Sequence, residues 1–428
     1  MTEPGALSDH ITPYDRLALP EPMLIGLLAA PTPNEGLVEY FGAALHAQLV
    51  TLARAALANP PGPAARRVYV LPGIMGSQLG LVRGGGRPND ILWLDPIDIQ
   101  VGRITELRFD DRSRVVALGA MNYSYLKLTL SLRVAGYDAV LLDYDWRQSL
   151  ATLGRRLAER LDADDLRDVA IVGHSMGGLV ARAALTHAAG ERVGRVVLLG
   201  TPNSGSMAAV QALRGTYSVV RKIAQLDLRH DAEFLAREVF STFPGLHELL
   251  PYGPGAGDLD LFDDGAWPRD GFSPRTAMLR ASAQLADRLG RADSRFDVVV
   301  GCNRLTATGV SLPGGELEYA YGQQGDGTVP MALACLDGAR NSYIDCGHSE
   351  MPLDERVIGG TLELLATGAT AKFAADAPRI DGPVARVRDD ALRALHPGKV
   401  DWPHMTPAER RRFLDTLNEP PGAALTAR

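Results

Sequence analysis

The sequence predicts an α/β fold built on a mostly parallel central sheet with helices on both faces. Short apolar runs rich in β-branched residues recur along the chain, and helix-forming segments lie between them. A clear strand–turn–helix corner lies at 168–190, where an apolar run stops at Gly173 and a helical pattern follows. Strand–helix–strand alternation of this kind produces parallel strands.

The elements can be followed in order along the chain. Strands are predicted at 68–71, 139–142, 169–172, 195–199, 297–301 and 342–345, and helices near 37–58, 123–135, 150–161 and 355–370. A hairpin-like stretch lies at 317–321. Between about 206 and 290 there is no core strand, but short amphipathic helices alternate with turn clusters, which indicates a cap inserted over the site.

This pattern divides the chain into five parts. They are an N-terminal helical extension (1–66), the first part of the core (67–205), the cap (206–292), the second part of the core (293–371) and a C-terminal extension (372–428). We expect the N-terminal part to pack on the core. The Pro-rich C-terminal part is expected to be a partly ordered appendage.

Composition bounds the class of protein. The 428 residues are 46% apolar and 22% charged, which is ordinary for a soluble globular chain, and the net charge of −7 argues against nucleic acid as a partner. Three cysteines, Cys302, Cys335 and Cys346, favour a reduced compartment over a disulfide framework. No apolar run reaches the roughly 18 residues of a spanning helix, and the first residues lack a secretion-signal pattern. We therefore expect a cytoplasmic protein, with peripheral membrane attachment as the alternative.

The corner at 168–190 carries the strongest functional signal. Residues 173–177 read GHSMG, which is the G-x-S-x-G nucleophile elbow. The motif requires small residues two positions before and after the serine because strand and helix pass very close there. Ser175 is therefore the candidate nucleophile, and the N–H of Met176, at the start of the helix, is a candidate oxyanion donor.

A second oxyanion donor is expected after the first core strand. The strand at 68–71 runs into PGIMGS (72–77), a glycine-bracketed turn at the position where a hydrolase of this type supplies that donor. The N–H of Ile74 is the candidate. Without the serine elbow, the same turn would be read as a flexible strand–helix connection.

Two residues in the C-terminal half of the chain complete a candidate catalytic triad with Ser175. Asp326 lies in GDGTVP and His348 in CGHSE, and we expect both to follow strands at the carboxyl edge of the sheet. The chain order Ser175, Asp326, His348 is that of α/β-hydrolases. His230 and His247 lie in the cap and are interpreted as surface or packing residues.

Two charged stretches have simpler interpretations. The acidic loop around 258–264 lacks the spacing of a calcium-binding loop, so it is interpreted as solvated, and no metal or cofactor is expected. The three arginines at 410–412 fall on a short helix that begins near Thr406 and Pro407. A solvated helix face is the favoured interpretation, with anionic lipid contact as the alternative.

Several motifs together resemble the lecithin:cholesterol acyltransferase family, which includes lysosomal phospholipase A2 and the phospholipid:diacylglycerol acyltransferases. The matching pieces are VLPGIMGSQL (70–79), LWLDP (92–96), YDWR (144–147), GHSMGG (173–178), LGTPNSGS (199–206), FPGLHELLP (243–251), GDGTVP (325–330) and GHSEMP (347–352). They occur in the family's order over 70–352. Secreted members carry disulfides and signal peptides, from which this sequence departs.

The resemblance implies an α/β-hydrolase fold with Ser175 as nucleophile, Asp326 and His348 as its partners, and the N–H groups of Ile74 and Met176 as oxyanion hole. It also implies an acyl-binding cap and a lipid-contacting, substrate-binding loop near Trp93. The YDWR segment would be structural and close to the site.

The expected function is that of a serine acyl-ester hydrolase acting on lipids at a membrane or micelle surface, with phospholipids as substrates in a phospholipase A reaction. A lipid acyltransferase and a carboxylesterase or neutral lipase use the same chemistry and remain open. An alternative of another class is a hydrolase-fold subunit or effector controlled by a regulatory protein through 1–66 or 372–428.

Overall fold

The computed structural model describes residues 19–84, 89–110, 112–382, 385–395 and 398–419. The strands of these residues are β1 Arg67–Leu71, β2 Ser77–Leu81, β3 Asp90–Trp93, β4 Val116–Ala120, β5 Asp138–Leu141, β6 Val169–His174, β7 Val193–Leu199, β8 Phe296–Cys302, β9 Thr306–Ser311, β10 Glu318–Gly322, β11 Arg340–Asp345 and β12 Ala385–Arg388. The α-helices are α1 Glu21–Ala29, α2 Glu35–Phe41, α3 Ala43–Ala58, α4 Pro96–Gln100, α5 Asn122–Val134, α6 Leu150–Asp164, α7 Met176–Ala184, α8 Met207–Leu213, α9 Ser218–Leu226, α10 Ala232–Glu238, α11 Pro244–His247, α12 Thr276–Ser282, α13 Leu285–Arg288, α14 Met331–Ala334, α15 Glu355–Thr367, α16 Asp389–Ala394 and α17 Pro407–Asp415.

The central sheet has six strands in the order β11-β8-β7-β6-β1-β5, and every neighbouring pair is parallel. These strands match the six predicted from the sequence. All six residues of β6 are buried, which is typical of a parallel strand covered on both faces. The predicted fold class, an α/β-hydrolase fold with a mostly parallel central sheet, is confirmed.

Alternate residues of β6 enter two different apolar clusters. Val169 and Ile171 belong to the cluster shared with α6 and α7, whereas Ala170 and Val172 belong to the cluster shared with α5 and α15. Because successive side chains of a strand point to opposite faces, one strand can bind both helical layers. The nucleophile elbow at its end is thereby held from two sides.

The predicted single helix at 37–58 is wrong. The structure has two helices, α2 and α3, which meet at Gly42 with a φ of +75°, a conformation that glycine adopts readily. Both helices contribute to an apolar cluster that includes Leu126 and Leu130 of α5, so this segment packs on the core as expected. No single helix in the described part of the chain is long and apolar enough to cross a membrane; α2 and α3 meet that test only as a pair, which is bent by 114°.

The stretch between β7 and β8 contains helices α8 to α13 and, among its described residues, no strand. It leaves and re-enters the sheet between two strands that are hydrogen-bonded neighbours. The insertion begins at the carboxyl end of β7, and because β7 is parallel to β6, this is the edge of the sheet at which Ser175 lies. The division of the chain into five domains stays a prediction.

The described part of the C-terminal segment packs on the rest of the protein, whereas a partly ordered appendage was expected. Strand β12 pairs antiparallel with β10 and completes a small sheet in the order β12-β10-β9. The pairing covers the backbone groups that β10 would otherwise leave open at a sheet edge. In α16, Asp389 is fully buried and contacts the equally buried Arg214 of the cap at 2.8 Å.

Candidate active site

Ser175 lies at the corner between β6 and α7 with φ 53° and ψ −127°. This conformation is unusual for a residue with a side chain, and it marks the sharp turn of a nucleophile elbow. A β-carbon at Gly173 would lie 2.7 Å from the backbone nitrogen of Gly178, and one at Gly177 would lie 2.5 Å from the carbonyl oxygen of Leu71. Glycine is therefore required at both motif positions by the closeness of the two elements.

The three predicted catalytic side chains meet in the structure. Nε2 of His348 lies 2.9 Å from Oγ of Ser175, and its Nδ1 lies 2.7 Å from Oδ2 of Asp326. All three residues are buried. The pattern of partners places the imidazole proton on Nδ1, facing the carboxylate, and leaves the Nε2 lone pair to accept from the serine hydroxyl.

The carboxylate of Asp326 is fixed by its second oxygen. Oδ1 accepts from the backbone N–H groups of Thr328 at 2.9 Å and Val329 at 2.7 Å. These two bonds fix the direction in which the carboxylate points. Asp326 is thus held as an oriented acceptor for the proton on His348.

The two late residues reach the site by different routes. His348 directly follows β11, as predicted. Asp326 follows β10, which belongs to the small antiparallel sheet and not to the central parallel one. A bridge between Arg304, just beyond β8, and Asp326 brings the loop back to the carboxyl edge of the central sheet. The prediction that Asp326 follows a strand is right, but the strand is in the other sheet.

The loop at 72–77, here called the oxyanion loop, passes close to the nucleophile. A β-carbon at Gly73 would lie 2.8 Å from the β-carbon of Ser175. In the described part of the chain, the N–H of Ile74 donates to no protein acceptor. Met176 is the first residue of α7, where an N–H has no acceptor within its own helix. The two predicted donors are therefore available to an oxyanion beside Ser175.

Ser175 opens into a cavity of about 770 Å³. Much of its lining is apolar and comes from the cap and from the end of β3, including Trp93, Leu94, Ala208, Ala212, Val219, Leu246 and Leu249. Charged and polar lining comes mainly from α2, from the residues after His348 and from α17 and its continuation, including Glu39, Glu350, Asp354, Arg411, Asp415, Asn418 and Glu419. The cavity thus offers both an apolar and a polar environment to a bound molecule.

Trp93 lies in the wall of this cavity but is only 2% exposed. Its indole N–H donates to the carbonyl of Met75 at 2.9 Å, and its ring packs edge-on against that of Trp146 at 5.4 Å. The residue therefore supports the oxyanion loop from behind. Its role in substrate binding stays a prediction.

The YDWR segment forms part of the framework. Arg147 is fully buried, pairs with Asp145 and donates to the carbonyls of Leu107 and Val115. The indole N–H of Trp146 donates to the carbonyl of Ser77 at 3.0 Å. These contacts tie the loop after β5 to the oxyanion loop, in agreement with the structural role that the resemblance implies.

The sequence reasoning missed three residues of the site. Tyr125 and His174 form hydrogen bonds that connect the oxyanion loop to the segment carrying His348, and burial, together with the nearby His348, lowers the pKa of His174 to about 3. Gly200, with a φ of +56°, passes directly beside Asp326 and His348. The motifs at 173–178 and 199–206 contain two of the three, but a motif gives no contact partner.

The remaining histidines of the cap have other partners. Nδ1 of His230 contacts Asp227 at 2.8 Å, and Nδ1 of the fully buried His247 contacts the carbonyl of Phe243 at 3.0 Å. Neither histidine is hydrogen-bonded to Ser175, Asp326 or His348 in the described structure. The interpretation of both as surface or packing residues fits these contacts.

The favoured interpretation of the arginines at 410–412 is wrong in part. Arg410 is 4% exposed and donates to the carbonyl of Trp402. Arg411 lies over the ring of Tyr123 at 4.8 Å. Both side chains face the protein because α17 packs across the region next to the cavity.

Fold and site together define the class of protein, an α/β-hydrolase fold with a complete Ser-His-Asp triad. In agreement, the family model of a PGAP1-like alpha/beta domain matches residues 156–245, which include the elbow. No curated protein sequence matches the chain.

Solved structures of hydrolases are similar to this chain at low identity. The mature form of the lipase BlEst2 from Bacillus licheniformis is 17% identical with a TM-score of 0.36, over 71% of this chain and 91% of that one. A chain of the Tle4–Tli4 complex is 15% identical with a TM-score of 0.42, over 72% and 100% of the two chains. The carboxylesterase CesB from Bacillus subtilis is 9% identical with a TM-score of 0.34, over 72% and 86%. Similarities at this level carry no conclusion about substrate.

Proposed function

We propose that the protein is a serine ester hydrolase acting on lipids, and on phospholipids in particular, by phospholipase A type cleavage. The observation that carries the proposal is the position of the triad: Oγ of Ser175, hydrogen-bonded to His348, opens into a cavity of about 770 Å³ with a largely apolar wall and a charged wall. An amphiphilic ester has matching parts. The resemblance to the lecithin:cholesterol acyltransferase family supports the phospholipid as substrate.

The reaction follows from the geometry. His348 takes the proton of Ser175 as Oγ attacks the acyl carbon, and the carbonyl oxygen becomes an oxyanion that accepts from the N–H groups of Ile74 and Met176. The proton passes from His348 to the leaving alcohol as the ester bond breaks, which leaves an acyl group on Ser175. Water, deprotonated by His348, then attacks the acyl-enzyme and releases the fatty acid.

An acyl-enzyme can also be resolved by an alcohol. Attack by a lipid hydroxyl would give an acyltransferase, and acceptance of uncharged esters alone would give a carboxylesterase or neutral lipase. The charged wall favours a substrate with a polar head group over a neutral lipid, because a neutral lipid would displace water from the charged side chains and offer them no polar contact in return.

The test is product analysis by mass spectrometry. Wild-type protein and Ser175→Ala are incubated with mixed phospholipid vesicles, with and without a diacylglycerol or sterol acceptor. We expect free fatty acid and lysophospholipid from the wild type alone. Transfer of the acyl chain to the acceptor would change the assignment to an acyltransferase, and cleavage of short esters but not of phospholipids would change it to a carboxylesterase. Equal inactivity of both proteins on all substrates would contradict the proposal.

A second candidate function, control of the enzyme through its terminal segments, is favoured by contacts of α17 and its continuation. The side-chain amide of Asn418 donates to Oγ of Ser349, the residue after the triad histidine, at 2.6 Å. The hydroxyl of Tyr123 donates to Asp415 at 2.8 Å, and Arg411 donates to the carbonyl of Glu39 in α2 at 2.9 Å. The C-terminal segment thus connects the N-terminal helices to the loop that carries His348, at the edge of the cavity.

We propose that a regulatory protein which binds 1–66 or 372–428 changes access to the cavity by displacing this segment. The test compares the double variant Asp415→Ala/Asn418→Ala with Arg412→Ala, which alters an exposed position of the same helix. Release of the segment should raise the rate on a soluble ester several-fold without a partner, and the control should not. Equal rates for the double variant and the wild type would contradict control by this contact.

A further inference from the structure

A buried chain of hydrogen bonds connects the oxyanion loop to the segment that carries the triad histidine. The N–H of Gly73 lies 2.8 Å from the hydroxyl oxygen of Tyr125, and that oxygen lies 2.8 Å from Nδ1 of His174. Nε2 of His174 lies 2.9 Å from the carbonyl oxygen of His348. Tyr125 and His174 are both buried, so no bulk water competes for these groups.

The protons in this chain have one consistent arrangement. A backbone N–H can only donate, so the Tyr125 oxygen accepts from Gly73 and directs its own proton to Nδ1 of His174. The carbonyl of His348 can only accept, so the proton of the neutral His174 ring is on Nε2. Burial, which is the main cause of its pKa of about 3, keeps this ring neutral at ordinary pH.

This series of hydrogen bonds ends at the oxyanion loop on one side of Ser175 and at the backbone of His348 on the other. Gly73 precedes Ile74, whose N–H is the candidate donor for the oxyanion, and a β-carbon at Gly73 would lie 2.8 Å from the β-carbon of Ser175. The backbone of His348 is held at its two polar groups: its N–H donates to the carbonyl of Asp326 at 2.8 Å, and its carbonyl accepts from His174. Each end of the chain therefore fixes a group that must meet the substrate.

We propose that Tyr125 and His174 act as a coupled pair of positioning residues that hold the oxyanion loop and the His348 loop at the spacing required for catalysis. The inference rests on the proposed ester hydrolysis. Neither side chain reacts with substrate. They keep the Ile74 N–H, Oγ of Ser175 and Nε2 of His348 at fixed relative positions. This matters for catalysis because misplacement of a catalytic group by about 1 Å can lower the rate about 100-fold.

The neutral state of His174 is part of the arrangement. Its ring centroid lies 4.9 Å from that of His348. His348 becomes a cation during each proton transfer, and a second cation at that distance would oppose this step. A neutral imidazole can donate to the His348 carbonyl without this repulsion, whereas a lysine or arginine donor could not.

The series of hydrogen bonds can be broken at either side chain. Tyr125→Phe keeps the ring but removes the oxygen that joins Gly73 to His174. His174→Gln keeps an amide N–H that can reach the His348 carbonyl but removes the ring and its contact with Tyr125. Tyr137→Phe is the matched control, since it removes a tyrosine hydroxyl at a half-buried position that packs against the apolar cluster of α5 and α15, outside the catalytic groups.

The experiment measures kcat and KM on a soluble p-nitrophenyl ester, the rate of Ser175 labelling by a fluorophosphonate, and the concentration of active sites by titration. For Tyr125→Phe and His174→Gln we expect kcat per active site to fall about 10- to 100-fold with KM nearly unchanged, and labelling to slow in parallel. The double variant should be little slower than the slower single variant, because both changes break one chain. Tyr137→Phe should behave as the wild type.

A purely structural role gives a different result, in which active sites or thermal stability are lost while kcat per remaining site is unchanged. That result, or additive effects in the double variant, would overturn the proposal. If Tyr125→Phe does not fold, His174→Gln supplies the same readouts. Normal kcat in the variants, with wild type active and Ser175→Ala inactive, would overturn the positioning role alone. Inactivity of the wild type on esters would overturn it together with the proposed function.

Discussion

A β-carbon at Gly200 would lie 3.1 Å from Oδ2 of Asp326 and 3.1 Å from Nδ1 of His348. Gly200 immediately follows β7, and its β-carbon position is close to both catalytic partners. A side chain at this position would require the carboxylate, the imidazole and the sulfur of Met351, also at 3.1 Å, to shift by a few tenths of an ångström. The lack of a side chain at Gly200 therefore leaves room for the Asp326–His348 pair.

Gly200→Ala is expected to lower kcat by about 10- to 100-fold, because the new methyl group displaces Asp326 or His348 from its productive position. The positive φ adds backbone strain of about 1 to 2 kcal/mol. Gly136→Ala is the control: Gly136 also has a positive φ, of +90°, but nothing lies within 4 Å of its β-carbon position. Similar losses of stability in both variants, with loss of kcat in Gly200→Ala alone, would support this account; equal kcat values would contradict it.

Asp326→Asn is expected to fold normally and to lower kcat about 10⁴-fold. The amide oxygen can still accept from the N–H groups of Thr328 and Val329, so the loop keeps its hydrogen bonds. The amide nitrogen, however, faces Nδ1 of His348 with protons and favours the wrong tautomer. Steady-state kinetics together with a thermal melt test this prediction, and a variant that retains more than about a tenth of the wild-type kcat would exclude Asp326 as the orienting carboxylate.

Glu248→Gln is expected to raise stability at pH 8 but not at pH 5. Burial raises the pKa of Glu248 to about 7, although the N–H of Leu150 donates to its carboxylate and opposes the shift. The folded state therefore holds a proton that the unfolded state has released above about pH 4.5, and wild-type stability falls as the pH rises from about 4.5 to 7. The neutral amide avoids this loss, which is of the order of 2 to 3 kcal/mol.

Urea unfolding of the wild type and Glu248→Gln at pH 5 and pH 8 measures the effect. Glu191→Gln, at an exposed position, is the control and should show no such difference. A gain in stability that is the same at both pH values would show that packing, and not the buried charge, is responsible.

Arg214→Met is expected to destabilise the protein by about 3 to 5 kcal/mol. Both Arg214 and Asp389 are fully buried, and the change leaves the carboxylate of Asp389 without its main partner. Arg386→Met removes an exposed ion pair with Glu318 and should change stability by less than about 1 kcal/mol. Urea unfolding compares the two. A small effect of Arg214→Met would show that the cap and the C-terminal segment are less tightly joined than this contact indicates.

The sequence predicted the local elements of the site because each depends on neighbouring residues. Gly173 and Gly177 predicted the turn at Ser175, and the apolar run before Gly173 predicted a buried strand. The prediction of a single helix at 37–58 failed because Gly42 interrupts the helix while the apolar periodicity continues across the interruption. The prediction for 372–428 also failed, because the Pro-rich composition of that segment gives no sign of the open edge of β10 with which it pairs.

The chemistry of the triad was determined by the sequence itself: a serine on a glycine-bracketed corner, then an aspartate and a histidine in the order of α/β-hydrolases. The contacts that connect these groups were decided only by the tertiary structure. Tyr125, His174 and Gly200 became part of the site because separate elements pack around Ser175, and packing partners far apart in the chain leave no periodic signal in it. Local backbone preference can be read from neighbouring residues, whereas the spacing of catalytic groups exists only after the sheet and its helices have packed.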